Sequence, residues 1–566
     1  MRNVKANLLA AFILAAVLLG PAGAQDVTFD IVRFQIEGNS LLAGNKAGEL
    51  VSPYVGRRRN YGDVQKALEA LEAEYRRLGY GTVQVYVPEQ ELTTGVVRIQ
   101  VSEGVVGKVT ISGNKYFSDT NVRASLPNLQ EGKAPNMRQL SENVQLANEN
   151  PAKQLEVTLG VSEDEGKVDI KVEVKEEDPD RVYLTLDNTG TKASGKHRVG
   201  ISYQNANVGD SDQVLTLAYS TALDPPGGPK FQGNRILPWQ GGIGVKVDIL
   251  SVGYRLPLYS IGDSIDLIYG NSSTDTPATT PTLGGALAIN GKGEVFGVRY
   301  NHIFPREGEF TSKLVLGFDY KYMNSRCAIA GNPTAFGTAG CTPHTFRPVT
   351  ATYSGQWQKP GESIDFNVGF VHHLFPMGSR FTFTPAAPAT AGGTDRYSAA
   401  SGYLTKDQFS ALRFGGSYFG AFAGEWMLRV AASAQHANNA LPAGERLGLA
   451  GSNAVRGFLE RAVAADRGWV GNLEVYSPDI AANLDIPGNL RGLAFYDTAQ
   501  GFNLNPSLNQ KVNISSLGLG LRYNLKKDIS VRFDVARVMD GVWPNGGPNT
   551  ALDGDIRGHF ALMYGF

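Results

Sequence analysis

The polar residues of the sequence form no recognisable catalytic arrangement. Its seven histidines form no metal-ligand pattern, and the adjacent His372 and His373 would point to opposite faces of a strand. Lys292 follows a glycine but is itself followed by Gly293, whereas a phosphate-binding loop requires serine or threonine there. We therefore predict that the protein is not an enzyme and that it uses no metal and no cofactor.

One glycine-rich segment nevertheless carries a distinctive arginine. The segment reads Gly451-Ser452-Asn453-Ala454-Val455-Arg456-Gly457-Phe458. A guanidinium can bind a carboxylate through two parallel hydrogen bonds, and it does so best where water is scarce. Most arginines in surface loops are simply solvated. A functional role for this arginine can therefore be inferred only from the elements that surround the segment.

Those elements are amphipathic strands in the C-terminal two-thirds of the chain. From about Val182 to Phe566, short stretches alternate apolar and polar residues, which is the period of a strand with two different faces. The last stretch is the clearest. Its more apolar face consists of Ile556, Gly558, Phe560, Leu562, Tyr564 and Phe566. We interpret the terminal aromatic residues Tyr564 and Phe566 as a C-terminal assembly signal.

About sixteen such strands can be counted, and long connections alternate with short ones. This alternation is typical of an antiparallel transmembrane β-barrel, in which short turns face the periplasm and long loops face the cell exterior. Arg522, Arg532 and Asp534 fall on the inward faces of their strands, which predicts a hydrated lumen. A soluble β-sandwich is the alternative, because single amphipathic strands do not exclude it.

The N-terminus predicts export. Arg2 and Lys5 precede an apolar run from Leu8 to Leu19 and then small residues, which is typical of a signal peptide over residues 1–24. The mature chain would begin at Gln25. A retained membrane anchor is the weaker alternative, because the run is too short to span a bilayer. The net charge of −1 gives no indication of a nucleic-acid partner.

The two cysteines of the chain, Cys327 and Cys341, lie in one predicted long loop. An exported protein meets an oxidising compartment, which favours a disulfide between them. Closing a loop of this size stabilises a protein by about 3 kcal/mol in the chain-entropy model. The bond would tether a surface loop.

A soluble region with an internal repeat precedes the strands. Gly38-Asn39 recurs as Gly113-Asn114, and each copy reads as strand, helix, helix, strand, strand. We assign the copies to residues 25–104 and 105–179, and the barrel to residues 180–566 with an inserted loop at 438–465. The sheet of such a unit has open edges that can pair with an incoming extended chain. Passive spacer domains are the alternative.

Two repeats, about sixteen strands and Val455-Arg456-Gly457-Phe458 in the sixth external loop together resemble the TpsB transporters of two-partner secretion. The repeats then resemble POTRA domains. Further stretches resemble the same family, namely Asn148-Glu149-Asn150-Pro151, Asp187-Asn188 and Leu493-Ala494-Phe495-Tyr496-Asp497. In that family the loop folds back into the barrel, where its arginine meets an aspartate on the inner wall. The resemblance implies that Arg456 pairs with Asp497, whose inward face also carries Phe495.

Two features depart from the family pattern. Strand-like residues follow the predicted cleavage site almost at once, which leaves no room for the N-terminal plug helix and linker that family members usually carry. Phe458 stands where tyrosine is common, which keeps the aromatic body and loses a hydroxyl.

The resemblance implies an outer-membrane pore with its POTRA domains in the periplasm. It would recognise an unfolded secreted exoprotein, the client, and pass it through the barrel. The client would be a large adhesin- or haemolysin-like β-helical protein. The other partners would be outer-membrane lipid and the barrel-assembly machinery that inserts the chain. Leu140, Val144 and Leu146 on a predicted helix of the second repeat are candidate client contacts, although core packing explains them equally well.

Two other functions compete with secretion. The first is an insertase that assembles other outer-membrane barrels, but such relatives usually carry more POTRA repeats. The second is a passive solute channel, which has no need for peptide-binding domains.

Overall fold

A computed structural model describes most of the chain. The described residues are 28–91, 94–164, 166–190, 196–223, 248–272, 293–323, 344–374, 409–504, 511–541 and 551–566. The predicted signal peptide and Cys327 with Cys341 lie outside these ranges. The chain forms two compact units, one of residues up to 110 with 128–138 and 158–171, the other of residues 111–127, 139–157 and 172–566. Among the described residues, no helix has both the length and the apolarity to cross a membrane.

In its described residues, the first repeat contains two α-helices, one short 3₁₀ helix (Ser52–Tyr54) and five short strands. Its elements are β1 (Phe29–Ile31), β2 (Arg33–Glu37), α1 (Lys46–Val51), β3 (Gly56–Arg59), α2 (Tyr61–Arg77), β4 (Val83–Tyr86) and β5 (Val96–Glu103). The main sheet has the order β2-β5-β4. The strand-like residues after the predicted cleavage site overlap β1, which pairs with β3. The prediction missed β3, because a strand of four residues gives no readable period.

Helix α2 shows why this repeat folds as it does. Asn60 caps its N-terminus by accepting a hydrogen bond from the Asp63 backbone N–H at 3.0 Å, and the Asp63 carboxylate accepts one from the Asn60 N–H at 3.2 Å. One face of the helix buries Val64, Leu71 and Tyr75, as their helical spacing predicts. The helix therefore packs its apolar face into the interior of the repeat.

The second repeat follows the predicted order of elements. They are β6 (Val105–Ser112), α3 (Asp119–Ser125), α4 (Met137–Ala147), β7 (Lys153–Val161) and β8 (Lys167–Glu176). The strands form a sheet of order β6-β8-β7, so β7 is an edge strand of that sheet.

The rest of the chain closes into a barrel. Its wall strands are β9 (Asp180–Asp187), β10 (Arg198–Val208), β11 (Gln213–Ala222), β12 (Asp248–Leu258), β13 (Asp263–Ser272), β14 (Gly293–Ile303), β15 (Phe310–Met323), β16 (His344–Phe346), β17 (Pro348–Lys359), β18 (Glu362–His373), β19 (Ser410–Ala423) and β20 (Trp426–Ala437). After the short pair β21 (Leu447–Gly448) and β22 (Ala464–Ala465), the wall continues with β23 (Arg467–Tyr476), β24 (Asn489–Phe502), β25 (Lys511–Leu525), β26 (Ile529–Asp540) and β27 (Ile556–Gly565).

The barrel is closed and antiparallel. Because β16 and β17 both pair with β15 as one interrupted wall strand, the barrel has sixteen strands, and the predicted fold class is confirmed. Closure occurs where β27 pairs with β9. The backbones of Val182 and Phe566 extend this seam with reciprocal hydrogen bonds of 2.9 and 3.0 Å.

The wall strands alternate as their sequences predict. On β25, Leu517, Leu519 and Leu521 are exposed, whereas Ser516 is buried. On β26, Phe533 is exposed and the adjacent Asp534 is buried. An apolar exterior and a polar interior are what a barrel needs when lipid surrounds it and water fills it.

Candidate functional site

The inserted loop folds as a hairpin within the barrel. As the connection between β20 and β23 it comprises residues 438–466, one residue more than predicted. Strands β21 and β22 pair in it, and the Leu449 N–H donates to the Val463 carbonyl at 2.9 Å. Near its tip, Val455 and Phe458 are fully buried. They belong to one apolar cluster with inward-facing wall residues of β23 to β26, namely Val470, Ala499, Ile514 and Val538. The loop therefore occupies part of the lumen.

Arg456 at the tip of the inserted loop binds Asp497 on β24, and we call this contact the tip anchor. The guanidinium donates from Nε to Asp497 Oδ2 at 2.7 Å and from Nη2 to Oδ1 at 2.7 Å. The Arg456 backbone N–H also donates to Oδ2 at 3.1 Å. The two residues are 1% and 0% exposed. A buried, bidentate, charge-assisted contact of this kind fixes both the position and the orientation of the loop tip.

The pocket around the guanidinium is rich in carboxylates. Arg456 Nη1 lies 2.8 Å from Glu474 Oε1 on β23 and 3.6 Å from Asp534 Oδ1 on β26. The former is an ionic contact without the geometry of a directional hydrogen bond. The ring of Phe495 lies beneath the guanidinium, with its centroid 3.4 Å from Arg456 Cζ, which adds a cation–π contact. Three wall strands thus contribute anionic groups to one cation.

Other wall cations balance two of these three carboxylates. Asp534 Oδ1 lies 2.8 Å from Arg522 Nη1, and Glu474 Oε2 lies 3.1 Å from Arg429 Nη1. Asp497, by contrast, has the amide of Asn472 as its other side-chain partner among the described residues, at 2.8 Å. Removing the Arg456 side chain would therefore leave Asp497 as a buried carboxylate without a cation.

Gly457 allows the tip to approach the wall closely. Its φ is +94°, and a Cβ at this position would lie 3.1 Å from Val538 Cγ2, so a side chain would meet both backbone strain and crowding. The Gly457 N–H donates to Nε2 of His559 on β27 at 2.9 Å. This contact requires the lone pair of that nitrogen, so His559 serves as an acceptor for the loop tip.

The structure places the C-terminal residues on the outer face of the seam. Tyr564 and Phe566 are both exposed, and their ring centroids lie 5.6 Å apart. Their side chains are therefore presented outward at the edge of the barrel, as an assembly signal requires. That role stays a prediction.

The candidate client contacts on α4 are mostly interior. Leu140 and Leu146 are each 3% exposed, and Val144 is half-buried. Core packing accounts for the two leucines, which have little surface to offer to a client.

The Asn148-Glu149-Asn150-Pro151 stretch joins the second repeat to the periplasmic rim of the barrel. Asn150 Nδ2 donates to the Ala206 carbonyl at 2.8 Å. Glu149 lies 3.1 Å from Arg255 Nη1 and 3.1 Å from Lys313 Nζ. These contacts explain the motif physically, because they tie the end of the second repeat to β10, β12 and β15.

A buried lysine makes a second connection at this rim. Lys153 on β7 is 1% exposed, and its Nζ lies 2.5 Å from Asp212 Oδ2 in the turn between β10 and β11. Asn121 Oδ1 and Ser125 Oγ each accept from Nζ at 2.9 Å. Burial lowers the pKa of Lys153, and the adjacent Asp212 carboxylate opposes that lowering. We call Lys153 and Asp212 the rim pair.

Sequence reasoning missed several members of the lumen site. Glu474, Asn472 and His559 were not predicted to contact the loop. Strand alternation could have placed these residues on the lumen face, because polar residues at alternate positions mark that face. Alternation does not show which lumen residues contact each other. In the part of the chain that the structure describes, no cluster of histidine, cysteine, aspartate or glutamate could hold a metal ion.

Comparison with known families covers most of the chain. The family described as haemolysin secretion/activation protein ShlB/FhaC/HecB matches residues 166–333 and 360–523. A POTRA domain of the ShlB type matches residues 29–104, and a surface antigen variable number repeat of the POTRA type matches residues 105–177.

Individual relatives have low sequence identity but align over most of this chain. The outer membrane transporter CdiB of Escherichia coli O6:K15:H31 (strain 536 / UPEC) is 22% identical over 461 residues, which span 79% of this chain and 68% of CdiB. The heme/hemopexin transporter protein HuxB of Haemophilus influenzae is 18% identical over 525 residues, which span 91% of this chain and 85% of HuxB.

Solved structures show the same fold. CdiB from Escherichia coli matches with a TM-score of 0.68 at 17% identity, over 97% of this chain and 92% of that one. CdiB from Acinetobacter baumannii matches with a TM-score of 0.65 at 14% identity, over 95% and 90% of the two chains. With two POTRA repeats, a sixteen-strand barrel and a family match over more than half of its length, this chain belongs to the ShlB/FhaC/HecB family of outer-membrane transporters of two-partner secretion.

Proposed function

We propose that this protein captures an unfolded client in the periplasm with its POTRA domains and passes it outward through the barrel. We further propose that the tip anchor holds the inserted loop in the lumen between transport events. Members of the family lie in the outer membrane with their POTRA domains in the periplasm, and they work with a secreted partner protein. The single observation that carries the proposal is the buried Arg456–Asp497 contact, because it fixes a loop inside the lumen through which a client would have to pass.

Open sheet edges support capture by the repeats. In the described residues of the first repeat, β5 lies between β2 and β4, and neither β2 nor β4 pairs with a further strand at its outer edge. Tyr86 on β4 is exposed. A client in extended form can add a strand at such an edge through main-chain hydrogen bonds, which require no particular client sequence.

A cavity beside the inserted loop supports passage through the lumen. It has a volume of about 440 Å³ and lies between the loop and the wall strands β9 to β12, β26 and β27. Its lining includes charged residues of both signs, namely Asp187, Arg198, Glu460, Arg461 and Arg532. An extended polypeptide exposes its backbone polar groups, so a polar path meets its needs better than an apolar one.

The client class follows from the family. We propose a large adhesin- or haemolysin-like exoprotein with a β-helical fold that forms outside the cell. The sequence carries no nucleotide-binding loop, so capture in the periplasm and folding at the exterior would provide the direction of transport. The protein would also contact outer-membrane lipid and require the barrel-assembly machinery for its own insertion.

Secretion of a defined client tests this proposal. The full-length protein would be produced in a bacterial host together with a candidate exoprotein, a large exported protein with an N-terminal β-helical secretion domain sought in the gene next to its own. The exoprotein would be quantified in the medium and in the periplasm. We expect extracellular exoprotein only when the transporter is present. A matched chain with Glu309→Gln, which alters an exposed ion pair with Lys359 on the rim, should secrete normally.

The same cells test the insertase alternative. The abundance of unrelated outer-membrane barrels would be measured in the presence and absence of this protein. Exoprotein retained in the periplasm, together with unrelated barrels that require this protein for assembly, would overturn the secretion proposal in favour of the insertase.

A further inference from the structure

A second buried ionic cluster holds the inserted loop, and it lies at the stem. Glu445 is 2% exposed. Its Oε1 lies 2.6 Å from Lys321 Nζ on β15, and its Oε2 lies 2.7 Å from Arg413 Nη2 on β19. A loop carboxylate thus meets two wall cations, and we call this cluster the stem anchor.

The backbone of Glu445 is held by the same wall. Its carbonyl oxygen accepts hydrogen bonds from Arg413 Nη2 at 3.2 Å and from Gln435 Nε2 at 3.1 Å. The amide of Gln435 also donates to the Asp466 carbonyl at 3.2 Å, and the Asp466 carboxylate lies 3.3 Å from Arg446 Nε. The ascending and descending arms of the loop are therefore fastened to each other as well as to the wall.

The two anchors have opposite polarity and lie on different parts of the wall. At the tip the loop provides the cation, and β23, β24 and β26 provide the carboxylates. At the stem the loop provides the carboxylate, and β15 and β19 provide the cations. The 440 Å³ cavity is lined by β9 to β12, β26 and β27, and it borders the loop beside the tip anchor, at Asn453 and Ala454. None of its lining residues lies on β15 or β19, the strands of the stem anchor.

The anchors differ in what their loss leaves behind. Without Glu445, Lys321 would still lie 3.5 Å from Asp319, and Arg413 would still donate to Gln435 Oε1 at 2.8 Å. Without Arg456, Asp497 would have no cation. Loss of the stem contact therefore leaves Lys321 and Arg413 with other polar partners on the wall, whereas loss of the tip contact leaves Asp497 without a cation.

We propose that the inserted loop is held at two independent points and that Glu445 is a positioning residue that keeps the stem against β15 and β19 when the tip is released. The tip can then move toward the cavity side without the loop leaving the barrel. The geometry of the stem anchor stands by itself, and its role during client passage rests on the proposed secretion function.

Labelling of single cysteine reporters tests this inference in the full-length protein in outer-membrane vesicles. Ala440→Cys reports on the stem and Ala454→Cys on the tip, and the rate of reaction with a membrane-impermeant maleimide is measured for each. The same chain without a reporter gives the background of the native cysteines. We expect Glu445→Gln to raise labelling at position 440 about tenfold, because one ionic restraint on local opening is lost, and to leave position 454 unchanged. Arg456→Ala should do the reverse.

Two controls keep the test decisive. Glu309→Gln removes a carboxylate from an exposed pair in the same barrel and should change neither rate. Arg413→Gln removes a partly exposed wall cation and should raise labelling at position 440 alone, which provides the test if Glu445→Gln does not assemble. Unchanged labelling at position 440 in the assembled variants, or equal increases at both positions, would overturn the two-point proposal. Neither result depends on client secretion.

Discussion

Two buried cations of this protein, Arg456 in the lumen and Lys153 at the periplasmic rim, have different surroundings. Each is 1% exposed. Arg456 contacts carboxylates of three wall strands, and its planar guanidinium binds one of them through two hydrogen bonds. Lys153 contacts a single carboxylate, that of Asp212, together with neutral oxygens of Asn121 and Ser125.

The difference indicates how each contact can be released. A guanidinium keeps its charge under all physiological conditions, so the tip anchor opens only if the loop moves. An ammonium group is more easily perturbed, and burial lowers the pKa of Lys153. We therefore expect the tip anchor to be released by movement of the loop, whereas the rim pair is a buried ion pair that joins the second repeat to a turn of the barrel.

The largest effect should come from Arg456→Ala. Breaking a buried ion pair by removing one partner costs about 3–5 kcal/mol, and Asp497 would be left with Asn472. We expect client secretion to fall to background while the barrel still assembles, as measured by exoprotein in the medium and by heat-modifiable electrophoretic mobility.

Arg456→Lys sharpens the same comparison. Lysine restores the charge but cannot form two parallel hydrogen bonds with one carboxylate, so we expect secretion between that of Arg456→Ala and the native level. Native secretion by Arg456→Ala would show that the tip anchor has no part in transport. Equal secretion by the native chain and Arg456→Lys would show that charge alone suffices and would remove the contrast with Lys153.

Lys153→Met should have the next largest effect, at the rim. Asp212 would lose its cation but keep the Ser125 hydroxyl at 2.8 Å and the Tyr259 hydroxyl at 2.5 Å as donors. We therefore expect a cost of about 3 kcal/mol, at the lower end for a broken buried pair. Hydrogen exchange in β7 and in the turn that carries Asp212 should become faster.

A double variant tests whether the rim pair is replaceable. Lys153→Met with Asp212→Leu leaves no buried charge, so exchange should return toward the native rate. If hydrogen exchange in the double variant were as fast as in Lys153→Met, the loss of stability would come mainly from packing and not from the charge left on Asp212.

The strand faces of the barrel could be predicted because a period of two assigns each residue to lipid or to lumen. Asp534 was placed on the lumen face in this way, whereas Phe495 was placed there through the family resemblance, with which parity agreed. Parity does not reveal which inward-facing residues meet across the lumen, because that depends on how a loop folds back between strands distant in the sequence. The tip pair was accessible only through family resemblance, and Glu445 and Glu474 were not accessible at all.

The rim illustrates the same limit for the repeats. Helix α4 and strands β7 and β8 follow from local patterns, whereas nothing in the pattern around Lys153 distinguishes it from a solvated strand lysine. Its burial arises because a barrel turn supplies Asp212. Contacts of this kind depend on tertiary structure and leave no local periodic signal.

Gly457→Ala should have a moderate effect on the tip anchor. The new Cβ would lie 3.1 Å from Val538 Cγ2 on a backbone with φ of +94°, which costs about 1–3 kcal/mol. We expect a partial loss of secretion and faster labelling at a tip reporter. Gly361→Ala is the matched control, because Gly361 also has a positive φ of +77° but no atom within 4 Å of the added Cβ. If the two substitutions reduced secretion equally, backbone strain alone would explain the loss of secretion, and close packing of the tip would not be supported.

The smallest effect should come from Glu149→Gln at the rim. Glu149 keeps about a fifth of its side chain exposed, and its pairs with Arg255 and Lys313 are partly open to water. Because glutamine keeps the shape and a hydrogen-bonding oxygen, we expect a cost of about 1 kcal/mol, which should decrease as salt is added. Hydrogen exchange in the Asn148–Pro151 stretch provides the measurement, and Glu156→Gln, which alters the exposed pair with Lys175, is the control. A loss as large as that of Lys153→Met, and insensitive to salt, would mean that the rim is held by several equivalent contacts. In that case the rim pair would not be the dominant contact at the rim, and its comparison with the tip anchor would no longer hold.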